Sequence, residues 1–584
     1  MDRDGTDPDP SSPETDTAGE TSTIGSLPTS IRRRIVDARE SFGGRNDASR
    51  YERVTDRIRI DTRSLAVFRV AIGLLVIADL LLRSRNFGFY YTDDGVVTQE
   101  LAELYSPDGA FSVYYFVSDP ALIAALFVLQ GLIAVQLIVG FKTRIAMVLT
   151  FLGVISLDYH NPLVLSYADT LFRLLCFWAI FLPLGERFSI DAVQRRRPAR
   201  PSIVSVASAL ILGQMVYMYF RNGLHKRNDS TGLWQSGDAA PLVFGLDEMT
   251  FLLGDFMRQF PTLIGYGGTM WYYMMLLSPL LLLASGRVRY LIAFVFVGGH
   301  ASFALTVRIG AFAYVAMAGL ILFLQAPFWA DARTVLSKFG LRDRADKFRH
   351  RLSARGVALA GAVPTVSFDS DLHRDLKASL YTATLGVVVI GLAIIWLSSG
   401  LALAGATDGP IERTVFDTEE TVQDTKASFG IQQPDWSVFA PTPRTTDRYY
   451  VFPAETAEGE YIDVFNDGRT LTYDRPYEQL QKQHDTYRQR FYMNSIRRAD
   501  DEGDLAPKLL AEHLCETWED EHGIELVRIN IYSVSESITM ETIDAPEHRE
   551  RTERRHSEHA CGDVEPGPIA PPAHVDDIVG DTGT

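Results

Sequence analysis

Leu65-Ala66-Val67-Phe68-Arg69-Val70-Ala71-Ile72-Gly73-Leu74-Leu75-Val76-Ile77-Ala78-Asp79-Leu80-Leu81-Leu82-Arg83 is an apolar run in which only Arg69, Asp79 and Arg83 carry charge. A run of about 17 to 25 such residues is long enough to cross a bilayer as a helix. Similar runs recur near 121–141, 145–158, 169–184, 203–220, 268–285, 289–306, 311–328 and 380–404. A soluble chain of 584 residues would divide into several cores, but here the apolar residues gather into span-sized blocks. The fold class read from this pattern is an all-α polytopic membrane bundle of about nine spans, followed by a C-terminal extracytoplasmic α/β or β-rich domain. The third and fourth spans are short. The junction at Asp158, His160 and Asn161 reads either as a break within the membrane or as a plain loop.

Working outward, the mean hydropathy of +0.02 averages very apolar stretches with strongly polar ones. The net charge of −17 comes mainly from the N-terminal tail and from the chain beyond Ala404, whereas Arg clusters between the runs. That balance disfavours a nucleic-acid partner. The acidity resembles that of proteins that stay hydrated in high salt, and ordinary solubility is an equal account of it. Residues 1–50 form a tail with a basic end. Its first 27 residues have almost no large apolar side chains and cannot bury enough surface to order themselves. The tail lacks the basic start and apolar core of a cleavable signal, so the first span is expected to direct insertion.

Short basic loops stay in the cytoplasm. The basic segments are the one with Arg32, Arg33 and Arg34, the turn with Lys142 and Arg144, the run Arg195, Arg196 and Arg197, the pair Arg287 and Arg289, and the linker 330–377. They fall on one side, which places the N-terminus in the cytoplasm of a multi-pass cell-membrane protein. The final transmembrane helix is expected over 378–405, and an odd number of spans puts residues 406–560 outside. The stretches 448–452, 461–465 and 526–532 alternate as strands do, and 475–499 and 505–520 have helical patterning. Residues 561–584, with Pro566, Pro568, Pro571 and Pro572, read as a flexible tail. Cys176 lies in a span. Cys515 and Cys561 are the two cysteines of the outer domain and either pair in an oxidising compartment or stay free.

Ionisable side chains within spans face a bundle interior, a cavity or a partner. Arg69 and Asp79 lie near the ends of the first span and are read as snorkelling to the interfaces. Asp169 and Arg173, four apart, are read as an intrahelical ion pair. In Tyr219-Phe220-Arg221-Asn222-Gly223-Leu224-His225-Lys226, basic residues follow a span predicted to end outside, against the positive-inside tendency. Lys226 is either a solvated interface anchor or a desolvated amine able to act as a general base. His300, in Gly298-Gly299-His300-Ala301-Ser302, is either a packing residue or a functional one. No cluster has metal-ligand spacing, no metal is expected, and Gly265-Tyr266-Gly267-Gly268 is too short for a phosphate loop. Asn228-Asp229-Ser230 has the form of a glycosylation sequon, a triplet common by chance.

Several segments together resemble the HTTM (horizontally transferred transmembrane) domain family, related to vitamin K-dependent gamma-carboxylase. They are residues 66–74 with Tyr91-Thr92-Asp93-Asp94-Gly95, residues 177–185, the segment from Tyr219 to Asp238, His300 through Tyr314, and Pro434-Asp435-Trp436-Ser437-Val438-Phe439-Ala440-Pro441-Thr442-Pro443. The resemblance implies an HTTM-like transmembrane domain over 60–329. It further implies an enzyme of the gamma-glutamyl carboxylase type working at the outer face. Such an enzyme uses reduced vitamin K or a menaquinol-type quinone, with oxygen and carbon dioxide as co-substrates and a secreted polypeptide as acceptor. The family's catalytic Lys falls on Lys226, and a His matching His300 would stabilise the developing oxyanion. The paired lysines of animal carboxylases appear here as His225-Lys226, and no propeptide-binding surface is identified. The competing expectation is a non-enzymatic membrane scaffold or transport component whose outer domain binds a partner.

Overall fold

The computed structural model describes residues 52–195, 198–362, 371–403, 409–499 and 505–569. The predicted 1–50 tail, Arg196 and Arg197, parts of the basic linker and the end of the C-terminal tail lie outside these residues. The helical part comprises α1 (Thr62–Arg83), α2 (Pro120–Val139), α3 (Thr143–His160), α4 (Tyr167–Ile180), α5 (Val206–Arg227), α6 (Ala239–Phe244), α7 (Pro261–Leu276), α8 (Gly286–Thr306) and α9 (Phe312–Leu320). Beyond them come α10 (Ala326–Lys338), α11 (Arg342–Ala362), α12 (Asp371–Leu403) and α13 (Pro410–Ser428).

Local chemistry explains where these helices begin and end. Asp61 caps α1, accepting from Arg63 N. Asp119 caps α2 ahead of Pro120, and Gly140 closes it in the left-handed region at φ 72°. Ser166 and Asp169 form a capping box at the start of α4.

Among the described residues, four helices are long and apolar enough to cross a membrane: Thr62–Tyr91, Pro120–Val139, Gly286–Thr306 and Ala378–Ile395. A bent pair raises the number to five. The remaining predicted spans are helical but shorter or more polar. At 14 residues, α4 is too short for a hydrocarbon core of about 30 Å. The run predicted over 268–285 is two pieces, because α7 ends at Leu276 and a second turn begins at Leu280 after Ser278-Pro279. The run predicted over 311–328 bends by 101° where Pro327 opens α10.

Ionisable residues in the bundle are not where the sequence reading put them. Arg69 does not snorkel. It is fully buried, and its guanidinium donates to the carbonyls of Ile138 (3.2 Å), Leu184 (3.0 Å), Arg187 (3.1 Å) and Phe188 (2.6 Å). A guanidinium has five donors, so one side chain can fasten this whole turn of backbone. Asp169 and Arg173 do not pair with each other. Arg173 meets Asp158 at 3.2 Å, and Asp169 meets Arg488 at 2.9 Å. Arg83 joins Asp79 (2.8 Å) and Asp158 (2.5 Å), and Arg488 also reaches Asp79. The result is a charge-neutral cluster of three arginines and three aspartates, closed by an arginine from the C-terminal region.

That region is β-rich. Strands β1 (Thr446–Val451), β2 (Pro453–Thr456), β3 (Tyr461–Asp463), β4 (Arg469–Thr470), β5 (Leu526–Ser537) and β6 (Arg551–Ala560) form one antiparallel sheet. The long β5 pairs with β1 and β2 on one side and with β6 on the other. Helices α14 (Tyr487–Arg498) and α15 (Leu505–His522) accompany the sheet, and Cys515 on α15 is disulfide-bonded to Cys561 just past β6. Sheet and bundle share one hydrophobic core, with Tyr492 of α14 packed edge-on to Tyr90 at 5.2 Å.

A second ionic cluster joins the loop after α6 to the sheet. Asp447 of β1 accepts from the backbone N–H groups of Asp247 (2.7 Å) and Glu248 (2.9 Å). Asp247 pairs with Arg258, Arg475 and Arg549, and Glu248 with Arg444 and Arg490. Burial alone would raise the Glu248 carboxyl; the Arg444 and Arg490 guanidiniums overcome it and hold it down at about 2.

Candidate functional site

On α5, Tyr219, Asn222 and Lys226 follow one another at steps of three and four, so they share a helix face. That face looks into a cavity of about 500 Å³. α7 and α8 supply further walls, including Trp271 and the pairs Gly267-Gly268 and Gly298-Gly299, and α6 adds Val243 and Phe244. Lys226 and His300, far apart in sequence, both line it. His225 is half-buried and does not.

Lys226 is buried, and its Nζ lies 3.9 Å from the centre of the Trp234 ring. Trp234 is held there by the loop that follows α5, in which Asp229 accepts from the backbone N–H of Thr231 and of Trp234. The Nζ donates to the carbonyls of Val438 (2.6 Å) and Phe439 (2.9 Å). Lys226 lies beyond the span predicted over 203–220, and burial drives its pKa well below the ordinary lysine value, with Asp229 opposing. A neutral amine can still donate both of these hydrogen bonds.

The His300 ring is enclosed by aromatic rings, with Trp271 edge-on at 5.2 Å and Phe312 at 5.9 Å. Its Nε2 is 2.7 Å from the Tyr219 hydroxyl, whereas Nδ1 is buried with no hydrogen-bond partner. Trp234 Nε1 is likewise unpartnered. Unsatisfied buried polar atoms are costly, and these two belong to residues that line the apolar cavity, where they are available to the polar atoms of a ligand. When the Tyr219 hydroxyl donates to Nε2, Nδ1 carries the ring hydrogen and presents a donor.

The remaining wall comes from the C-terminal region. Trp436, Val438 and Phe439, in the stretch between α13 and β1, line the cavity as a strap. Asn222 Nδ2 donates to the carbonyls of Trp436 (2.6 Å) and Val438 (3.0 Å). Ser437 Oγ is 3.0 Å from the Tyr167 hydroxyl, and Trp436 Nε1 donates to Gln433, itself bonded to Gln214 of α5. Trp436 and Phe439 have φ of 54° and 50°, a left-handed conformation uncommon for bulky residues, which persists when surrounding bonds hold it.

Of the segments singled out in the sequence, Tyr219 to Asp238, His300 through Phe312 and Pro434 to Pro443 therefore meet at one cavity, while Arg308 turns away to donate to the Gln481 and His484 carbonyls. The segment 177–185 lies elsewhere and receives Arg69 through the Leu184 carbonyl. Sequence reasoning missed the roles of Tyr219, Asn222 and Trp234. The polar spacing on α5 carried the signal for the first two; nothing local marked Trp234.

A cavity of this size falls in the range that holds small ligands. Its aromatic and glycine-lined walls suit a flat ring system, and the two unpartnered donors suit ring oxygens. Leu263, Met270 and Val295 line it and are also exposed on the outside of the bundle, so the wall of the cavity is thin there. Compared with known proteins, residues 58–329 match the model of the HTTM domain. No curated protein and no solved structure matches the chain.

Proposed function

From a chain whose residues 58–329 are an HTTM domain, we propose a membrane-bound, carboxylase-like enzyme that uses a reduced quinone, oxygen and carbon dioxide, with Lys226 as general base and His300 as hydrogen-bond donor. The observation that carries this reading is that Lys226 and His300 line the same apolar cavity. When bound, a quinol supplies with oxygen the strong base that removes the γ-proton of a protein-bound Glu so that carbon dioxide can add. Lys226 Nζ accepts a hydroxyl proton, which its desolvation favours by disfavouring the resting ammonium. His300 Nδ1, its hydrogen placed by Tyr219, donates to the oxygen left negative. The apolar lining excludes water from both steps and strengthens each interaction.

In this reading the helical part crosses the membrane nine times, the shorter and broken helices serving as inner spans packed among the four longer ones. The N-terminus is cytoplasmic, and 406–560 form an extracytoplasmic domain facing a secreted polypeptide acceptor.

The test is to incubate the purified protein in lipid with a chemically reduced naphthoquinone, oxygen and labelled bicarbonate, with Lys226→Ala alongside, scoring quinone epoxide and incorporated label. Epoxide from the parent alone is the expected result. No turnover with any of several quinols would sink the enzyme reading in favour of a scaffold or transport component.

A further inference from the structure

We propose that the Trp436–Phe439 strap, fastened by Asn222, sets the direction in which the Lys226 amine faces the cavity, which makes Asn222 a positioning residue. The inference rests on Lys226 being the base of the proposed reaction.

A lysine side chain turns about four carbon–carbon bonds and about Cε–Nζ, and it loses much rotamer freedom when fixed. A base needs its lone pair fixed. The Nζ is tetrahedral, with one position taken by Cε. Val438 and Phe439 carbonyls at 2.6 Å and 2.9 Å engage two hydrogens. One position is left, and in the neutral amine it is the lone pair. Two carbonyls at hydrogen-bond distance therefore do what a single partner cannot: they fix the rotation of the group as well as its place.

The carbonyls must themselves be held, and α5 holds them. Asn222, one turn before Lys226, donates both of its amide bonds to the same strap, at Trp436 and Val438. The Val438 carbonyl is thus shared between the two side chains, so movement of either alters the other. Trp436 and Phe439 carry uncommon left-handed backbone on both sides of this shared carbonyl. Without the bonds from α5 such residues would relax to negative φ and turn their carbonyls away. Asn222 lines the cavity, but both hydrogens of its amide are taken by the Trp436 and Val438 carbonyls, so it acts on Lys226 through the strap.

The test reads the amine directly. The full-length protein in lipid nanodiscs is reductively methylated with formaldehyde across a pH series, and the extent of modification at Lys226 is followed by peptide mass spectrometry. The parent should show a midpoint well below that of an ordinary lysine. Asn222→Ala frees the strap, admits water to the amine and should raise the midpoint by a unit or more, which leaves about tenfold less free amine at a given pH. Asn222→Gln, which keeps the carboxamide, should recover part of the shift. If Asn222→Ala does not yield folded protein, Phe439→Gly serves instead, because glycine adopts either sign of φ freely and loosens the strap from the other side. A folded Asn222→Ala or Phe439→Gly protein with the parent's midpoint overturns the proposal. Methylation requires neither quinol nor oxygen, so a failure to form epoxide would count against the enzyme reading alone.

Discussion

Replacing Arg488 by Met tests whether the C-terminal region is fastened to the bundle through buried charge. Arg488 meets Asp169 at 2.9 Å and also pairs with Asp79, and it donates to the Val164 carbonyl at 3.3 Å. Its loss takes the cluster from neutral to one excess negative charge in a largely buried site, in which only Asp79 is partly exposed. Removing one partner of a buried pair costs about 3–5 kcal/mol. The lower end applies here, about 3 kcal/mol, because Asp79 keeps Arg83 at 2.8 Å and Asp169 keeps the Ser166 N–H and hydroxyl at 2.8 Å. Asp169→Asn added to Arg488→Met restores neutrality while leaving an acceptor for Ser166. The double variant should therefore be more stable than the sum of the single losses predicts, with a coupling of about 1–2 kcal/mol. The assay is thermal unfolding of parent, single and double variants in one detergent, followed by near-ultraviolet circular dichroism, with limited proteolysis between α13 and β1 as a second readout. Strictly additive losses, with coupling under about 0.5 kcal/mol, would refute the claim that these residues act as one neutral unit.

Two further outcomes follow from the geometry. Glu248 is held down at about 2 by Arg444 and Arg490, so its contribution is complete above the ordinary value of 4.5 and is lost as pH falls towards 2. Glu248→Gln should melt well below the parent at pH 7 and converge with it near pH 2; an equal gap at both pH values would contradict the assignment. At Gly299 an added Cβ runs into the Trp271 ring, whereas at Gly298 it meets nothing within 4 Å. Gly299→Val should therefore weaken quenching of tryptophan fluorescence by a naphthoquinone about tenfold, near 1.4 kcal/mol, while Gly298→Ala binds as the parent does. Equal binding by both variants would remove the quinone ring from this part of the cavity.

The long apolar helices were legible because span length and hydropathy are local properties, as in α1, α2 and α8. The pieces at 261–283 and 312–338 were harder to read, since hydropathy alone does not reveal that the first run is interrupted after Leu276 and that the second bends by 101° at the start of α10. The partners of Arg69, Asp169 and Arg173 were misread for a different reason. Spacing along one helix identifies neighbours on that helix, but these side chains found better partners from other segments, one of them Arg488 more than three hundred residues from Asp169. Strand β6 escaped notice because Arg551-Thr552-Glu553-Arg554-Arg555-His556 has no apolar alternation; its pairing with β5 comes from the sheet it joins. Lys226 and His300 stood out as ionisable residues in apolar surroundings, but that they share one cavity is tertiary information.

The strap also bears on how the protein is made. Val438 and Phe439 are 212 and 213 residues downstream of the Lys226 they engage. During synthesis, then, α5 leaves the ribosome long before the backbone that will hold its amine does. Until that segment arrives, the amine has neither the carbonyls that orient it nor the wall that keeps water out. A chain ending at α12 therefore has the lysine but neither the two carbonyls that hold its Nζ nor the wall of Trp436, Val438 and Phe439 that completes the cavity, and this part of the bundle is finished only when the last third of the chain has folded back.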